Sequence, residues 1–182
     1  AGLNVAGQIG AKYVLKTRTD HRIIDSGALG YLRALWNISR SDSRVICSSY
    51  GSGKFRLYGY TDQLQFGTLE ALKLFWDDQP TNHTPSFITR ASGPLSDFEL
   101  SANCVHEIRL NLRYLQRLGE VPNLTWLDSM NLLTKHFGIA DSQNLGHIQL
   151  GRPKSVYDHV YPWNSLETSQ IEQHSTTAGW LR

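Results

Sequence analysis

Between Lys12 and Ser48 the chain reads strand, helix, strand, and that order limits the fold more than any other feature. Tyr13, Val14 and Leu15 are β-branched or aromatic or long and apolar, which suits a strand covered on both faces. Asp25 or Ser26 can cap a following helix from Gly27 to Ser39, where Leu29, Leu32, Leu35, Trp36 and Ile38 recur at helical spacing. Arg44 to Ser48 is a second short apolar run bounded by turn-forming serines. A crossover of this length between two strands predicts a βαβ unit and hence an α/β sheet. At the carboxyl end of the first strand come Lys16, Thr17, Arg18, Thr19 and Asp20. In open α/β sheets that end is where ligands bind, and one carboxylate between cations suits a metal and a phosphate.

The remainder divides less evenly. Residues 2–11 predict a short helix leading into the first strand, weakened by Gly2, Gly7 and Gly10. Ser49 to Thr61 is a loop with three glycines, Lys54, Arg56 and three tyrosines. Asp62 to Gly67 returns to alternating character, and Thr68 is a fitting N-cap for a helix over Leu69–Trp76. Residues 77–96, with three prolines, predict a long irregular loop of the kind that carries function. A long helix is expected from Asp97 to Leu118, with Leu100, Cys104, Ile108, Leu112 and Leu115 on one face and Gly119 as its stop. A second is expected from Thr125 to Phe137, ended by Gly138. The chain divides into a domain over 1–165 and a flexible tail over 166–182.

Composition excludes several classes. A chain of 182 residues with 40% apolar and 19% charged residues is long enough to bury a core. The net charge of +2 gives no argument for nucleic acid. Two widely spaced cysteines make no disulfide framework and fit a reducing compartment. No apolar run is long enough to cross a bilayer, and no signal peptide is visible.

The familiar catalytic patterns fail on inspection. Gly51-Ser-Gly-Lys54 lacks a glycine at position 48 and a hydroxyl residue at 55, so it is not a P-loop. His106-Glu107 is not followed by a second histidine at 110, where there is Leu, so the zinc-protease pattern is absent. There is no GxSxG elbow, and neither cysteine has an adjacent histidine. What stands out are carboxylates. Asp20 lies at a strand end, Asp62 precedes a strand, and Asp97 and Glu99 open the long helix, where capping is the simpler role for Asp97. Tyr161 and Trp163, beside Pro162, are candidates for stacking on a sugar.

Two motifs in order, Lys16-Thr-Arg-Thr-Asp20 and Tyr60-Thr-Asp62-x-x-x-Phe66-Gly67, resemble the WavE lipopolysaccharide synthesis family, whose members are similar to GT-A glycosyltransferases. Asp128-Ser129 echoes it too, and the resemblance spans about residues 4–160. It implies a GT-A-like, Rossmann-like mixed sheet with flanking helices and a helical C-terminal part. It implies transfer of a sugar from a nucleotide-sugar donor to a lipopolysaccharide-type or surface-glycan acceptor. The site would be cytoplasmic, at the inner face of the inner membrane, with peripheral membrane association. In such folds strand–helix units that bind the nucleotide precede the metal motif. Only about a dozen residues precede Tyr13, so an N-terminally incomplete member, inactive on its own, is expected.

The resemblance also assigns roles. A divalent cation, Mn²⁺ or Mg²⁺, would sit at Asp20, although His21 and Arg22 follow where the family's Asp-x-Asp pattern has its second carboxylate. One carboxylate with phosphate oxygens and waters is still enough for Mg²⁺. Lys16, Arg18 and Arg22 would neutralise the departing diphosphate. Asp62, then Glu99, would be the base for the acceptor hydroxyl, and Tyr58 and Tyr60 would hold the acceptor sugar. Two other classes compete: a non-catalytic carbohydrate- or nucleotide-binding module, and a metal-assisted phosphoesterase centred on Asp20.

Overall fold

The computed structural model describes residues 2–39, 41–49, 52, 56–76 and 105–149. In chain order these form α1 (Gly2–Gln8), β1 (Tyr13–Lys16), β2 (His21–Ile23), α2 (Ala28–Ser39), β3 (Val45–Ser48), β4 (Gln65–Thr68), α3 (Leu69–Phe75), α4 (His106–Arg117), α5 (Trp126–His136), β5 (Phe137–Ala140) and β6 (His147–Gln149). The expected α/β class is what the chain adopts, as a four-stranded mixed sheet of order β1-β4-β3-β5 and a separate two-stranded sheet, β2-β6.

The expected crossover differs in one respect. β1 and β3 run the same way, but they are not neighbours. β4 lies between them, antiparallel to β1 (Tyr13 opposite Thr68) and to β3 (Ile46 opposite Phe66). β5 then pairs parallel to β3, with Val45 opposite Phe137. β1, β3 and β5 therefore end on one edge of the sheet, and β4 begins there.

Strand alternation sorts the core into two layers, as a pleated sheet requires. Tyr13, Leu15, Ile46, Phe66 and Ala140 face α2, where Ala28, Leu32 and Trp36 are buried. Tyr13 meets the Trp36 ring edge-on at 5.1 Å and stacks on Phe66 at 5.9 Å. Val14, Val45, Cys47, Phe137 and Ile139 point the other way, against Leu72 and Phe75 of α3, Ile108, Leu112, Tyr114 and Leu115 of α4, and Leu132 and Leu133 of α5. Helices thus cover both faces of the sheet.

The boundary between α5 and β5 corrects the sequence expectation. Phe137 opens a strand instead of closing the helix, and Gly138 lies inside β5 rather than at a helix stop. Arg44, just before β3, explains how helix and strand can abut. Its guanidinium donates to the carbonyls of Thr134 and Lys135, satisfying the end of α5 without a loop. A side chain at Gly138 would press on Ile46, its partner in β3, with a Cβ only 2.6 Å from Ile46 Cδ1.

The chain joins its second sheet to the first through a turn that needs glycine. Gly146 has φ +54°, and a Cβ there would lie 2.7 Å from Ile24 Cγ1 and 3.0 Å from the Asp25 nitrogen. The backbone comes that close because Ile24 and Asp25 donate to the carbonyls of Gly146 and Leu145. The helix expected from Asp97 to Leu118 begins only at His106, because Val105 before it is extended. Residues 77–104 and 150–182, which hold the expected long loop, Asp97, Glu99, Tyr161, Trp163 and the tail, lie outside the described residues.

Candidate functional site

Three strands release their carboxyl ends together, and the polar residues collect there. Lys16 is the last residue of β1, and Asp62 lies three residues before β4. Lys16 Nζ donates to the Asp62 carbonyl and lies 3.7 Å from its carboxylate. Both side chains are only partly exposed, 26% and 20%. Burial pulls the Lys16 pKa below its ordinary value, while Asp62 pulls the other way. The fold thus brings together a residue expected to bind the diphosphate and one expected to act as base, 46 positions apart in sequence.

Lys16 is held from its other side as well. Its ammonium lies over the Trp76 ring, 4.5 Å from the centroid. The Trp76 indole N–H donates to Gln65 Oε1 at 2.7 Å, and Gln65 is fully buried in β4.

Asp20 is occupied differently. Arg18 grips it in a two-pronged pair, Nε to Oδ1 at 2.9 Å and an Nη to Oδ2 at 3.1 Å. Arg22 donates to the carbonyls of Thr19 and His21, stapling the turn between β1 and β2. His21 is buried, with Nε2 3.8 Å from Asp20 Oδ1. A divalent cation at Asp20 has to displace Arg18 from both carboxylate oxygens. Among the described residues no group of three or more His, Cys, Asp or Glu side chains is placed to hold a metal. The described donor set is one carboxylate already shared with a guanidinium, so it does not make a metal centre on its own.

The tyrosines expected to hold an acceptor sit elsewhere. Tyr58 and Tyr60 are 0% and 1% exposed, so neither ring presents a face to a sugar. Tyr58 turns inward because its backbone adopts φ +51° and is tied on every side. Its N–H donates to Ser129 Oγ, its hydroxyl donates to Asp128 Oδ2 at 2.6 Å, and the Asn111 amide donates to the carbonyls of Tyr58 and Tyr60. The Tyr60 ring packs 5.1 Å from Phe137. These loop residues are the seam between the sheet and helices α4 and α5. Glu99 lies outside the described residues.

Further polar residues, which form no motif in the sequence, lie at the same sheet edge. After β3, Ser49 donates its N–H to the Ala140 carbonyl, and its hydroxyl bonds to that of Ser142 at 3.2 Å. Ser142 returns its own N–H to Ser49 Oγ, and Asp141 stands beside it at the end of β5. Ser52 Oγ donates to the Ser48 carbonyl and accepts from Thr61 N–H, closing the neck of the loop. Asp141 alone carries a sequence signal, the apolar run Phe137-Gly-Ile-Ala140 before it, the same strand-then-carboxylate pattern that singles out Asp20.

The class so defined is an α/β protein with a charged carboxyl-edge site built from Lys16, Asp62 and the Arg18–Asp20 pair. No family model matches the chain, and neither does any curated protein or solved structure.

Proposed function

We propose that the chain is part of a GT-A-like glycosyltransferase of lipopolysaccharide or surface-glycan synthesis, acting on a nucleotide-sugar donor. One observation carries the reading: a mixed sheet gathers Lys16 and Asp62 at the carboxyl edge, where α/β proteins bind ligands. β1, whose end delivers Lys16, Arg18 and Asp20, is an edge strand among the described ones. That supports a reading in which strand–helix units beyond those described complete the nucleotide pocket.

In this mechanism Lys16 and Arg18 neutralise charge on the departing diphosphate, an electrostatic role strengthened by the partial burial of Lys16. Arg22 shapes the turn that presents them. Asp62 accepts the proton of the acceptor hydroxyl, provided that Lys16 moves from it to the diphosphate as the donor binds. No step is assigned to a metal. The acceptor is held by groups other than Tyr58 and Tyr60. Among the described residues no helix is long and apolar enough to cross a membrane. The reading places the protein in the cytoplasm, at the inner face of the inner membrane and peripherally associated with it.

Calorimetric titration with a panel of nucleotide sugars, with and without Mn²⁺, tests the proposal. Binding should weaken by about tenfold or more in Lys16→Met, the size expected for loss of a charged hydrogen bond. Affinity that rises with Mn²⁺ and falls in Asp20→Ala would restore the metal to that carboxylate. Glycan binding indifferent to metal, Lys16 and Asp20 would instead identify a non-catalytic binding module. Phosphate release from a generic ester would identify a phosphoesterase.

A further inference from the structure

Trp76 and Gln65 belong to no motif, yet both are joined to Lys16. Lysine is flexible, and at a strand end its ammonium ordinarily extends into water. Here it is folded back over an indole face, 4.5 Å from the ring centroid. The indole is itself oriented by the 2.7 Å bond from its N–H to Gln65 Oε1. Gln65 sits opposite Lys16 in the β1–β4 register and opposite Cys47 in the β3–β4 register, so it belongs to the central pair of strands. Trp76 closes the C-terminal end of α3, its N–H donating to the Leu72 carbonyl. Two rigid elements, β4 and α3, thus fix one ring, and the ring fixes one cation.

The geometry points to Trp76, oriented by Gln65, as a positioning residue that holds the Lys16 ammonium at the sheet edge for transfer from Asp62 to an incoming diphosphate. The inference rests on the donor-site reading above and names the part of that site that prepares it before the ligand arrives. Lys16 Nζ has three protons. The Asp62 carbonyl takes one and its carboxylate, at 3.7 Å, is a looser partner. Preorganisation of this kind raises affinity by removing the cost of ordering a long side chain on binding. The cation–π contact favours the charged ammonium in a partly buried place. Arg18 is already committed to Asp20, which leaves Lys16 as the cation whose partner is the more easily exchanged.

Two measurements on the whole chain test it. In the first, lysines are dimethylated with ¹³C-formaldehyde, and the signal missing from Lys16→Met is assigned to Lys16. It should lie upfield of the exposed lysines through the ring current of Trp76, and return to their position in Trp76→Leu. In the second, inorganic pyrophosphate is titrated calorimetrically. Trp76→Leu should weaken its binding about five- to tenfold, the range expected for a partly desolvated cation–π contact, with Trp76→Phe keeping most of the affinity. Gln65→Leu, which leaves the ring but frees it to turn, should weaken binding in the same direction. A Lys16 signal at the exposed position in the unsubstituted protein overturns the proposal. So does a folded Trp76→Leu or Gln65→Leu protein that binds pyrophosphate as before. Absence of pyrophosphate binding in the unsubstituted protein overturns the donor-site reading and this inference together.

Discussion

Asn111 shows how much of this molecule depends on single polar side chains. It lies on the buried face of α4 with no exposed surface, at a position where a helix would ordinarily place a leucine. Its amide donates at 2.7 and 2.9 Å to the carbonyls of Tyr58 and Tyr60, tying the loop before β4 to the helix. Replacing it with leucine keeps the volume but removes two hydrogen bonds to buried carbonyls. We expect Asn111→Leu to cost about 2 kcal/mol, since each such bond contributes about 0.5–1.5 kcal/mol. Urea unfolding should show a lower midpoint with unchanged slope. A loss under about 0.5 kcal/mol would mean water replaces the amide and the seam does not depend on it. Asn111→Asp should be worse than leucine, because it turns a carboxylate toward two carbonyl oxygens.

At the level of elements, two threonines make a matched comparison. Thr68 caps α3 through the Ala71 N–H, and its hydroxyl also donates to the Asp42 carbonyl at 2.8 Å, tying β4 to the turn before β3. Thr125 caps α5 through the Asp128 N–H at 3.3 Å, and its hydroxyl also donates to Asn123 Oδ1, two residues earlier. Thr68 is 6% exposed whereas Thr125 is exposed. Thr68→Ala should therefore cost about 2 kcal/mol and Thr125→Ala about 0.5–1 kcal/mol, the top and bottom of the range for lost caps. Equal losses in thermal or urea unfolding would show that the Asp42 link contributes nothing. Both caps were legible in the sequence because capping is local chemistry. The same holds for β1, α2 and β3, whose apolar spacing states their type. What was not legible depends on partners distant in sequence. Phe137 reads as the end of a helix, with Gly138 as its stop, because it continues the helical pattern of Leu132 and Leu133; only pairing with β3 makes Phe137–Ala140 a strand. β4 slips between β1 and β3 for a similar reason, since strand order is set by which faces fit. The site divides likewise. Lys16, Asp20 and Asp62 were visible as charges at strand ends, but Trp76, Gln65 and the Ser49–Ser142 pair were not. Their part is defined by a ring, a register and an adjacent strand, none of which has a sequence motif. Tyr58 and Tyr60 misled because a tyrosine-rich loop between strands has the composition of a binding surface, whether its rings face outward or into a seam.

Taken as a whole, the molecule buries phenols where a purely apolar core would have phenylalanine, and that gives it a definite alkaline limit. Tyr58, Tyr60 and Tyr114 all have pKa values raised above the ordinary tyrosine range, burial being the first cause in each. Tyr58 is raised further by the Asp128 carboxylate that accepts its hydroxyl, and Tyr114 donates its hydroxyl to the Ser43 carbonyl. In the unfolded chain each phenol ionises near about 10. A folded pKa above that value means the folded state holds its proton longer, so the stability from each neutral phenol is complete below about pH 10 and is lost as pH rises toward the folded values. Lys16 has the opposite sign, since burial lowers its pKa and deprotonation then favours the fold. Arg44 is shifted as Lys16 is, whereas the buried Cys47 thiol is pushed up like the phenols, so four groups against two set the direction. Stability measured by urea unfolding should begin to fall above about pH 8.5, where the unfolded Cys47 thiol ionises, and fall more steeply above about 10, where the phenols join it. The fall should be shallower in Tyr114→Phe, whatever that substitution does to stability at neutral pH, because it removes one of the titrating groups while keeping the ring packed against Phe75 and Phe137. A level profile through pH 11, or the same slope with and without Tyr114, would show that these phenols reach solvent before the fold opens. The seam between sheet and helices would then be looser than its hydrogen bonds indicate.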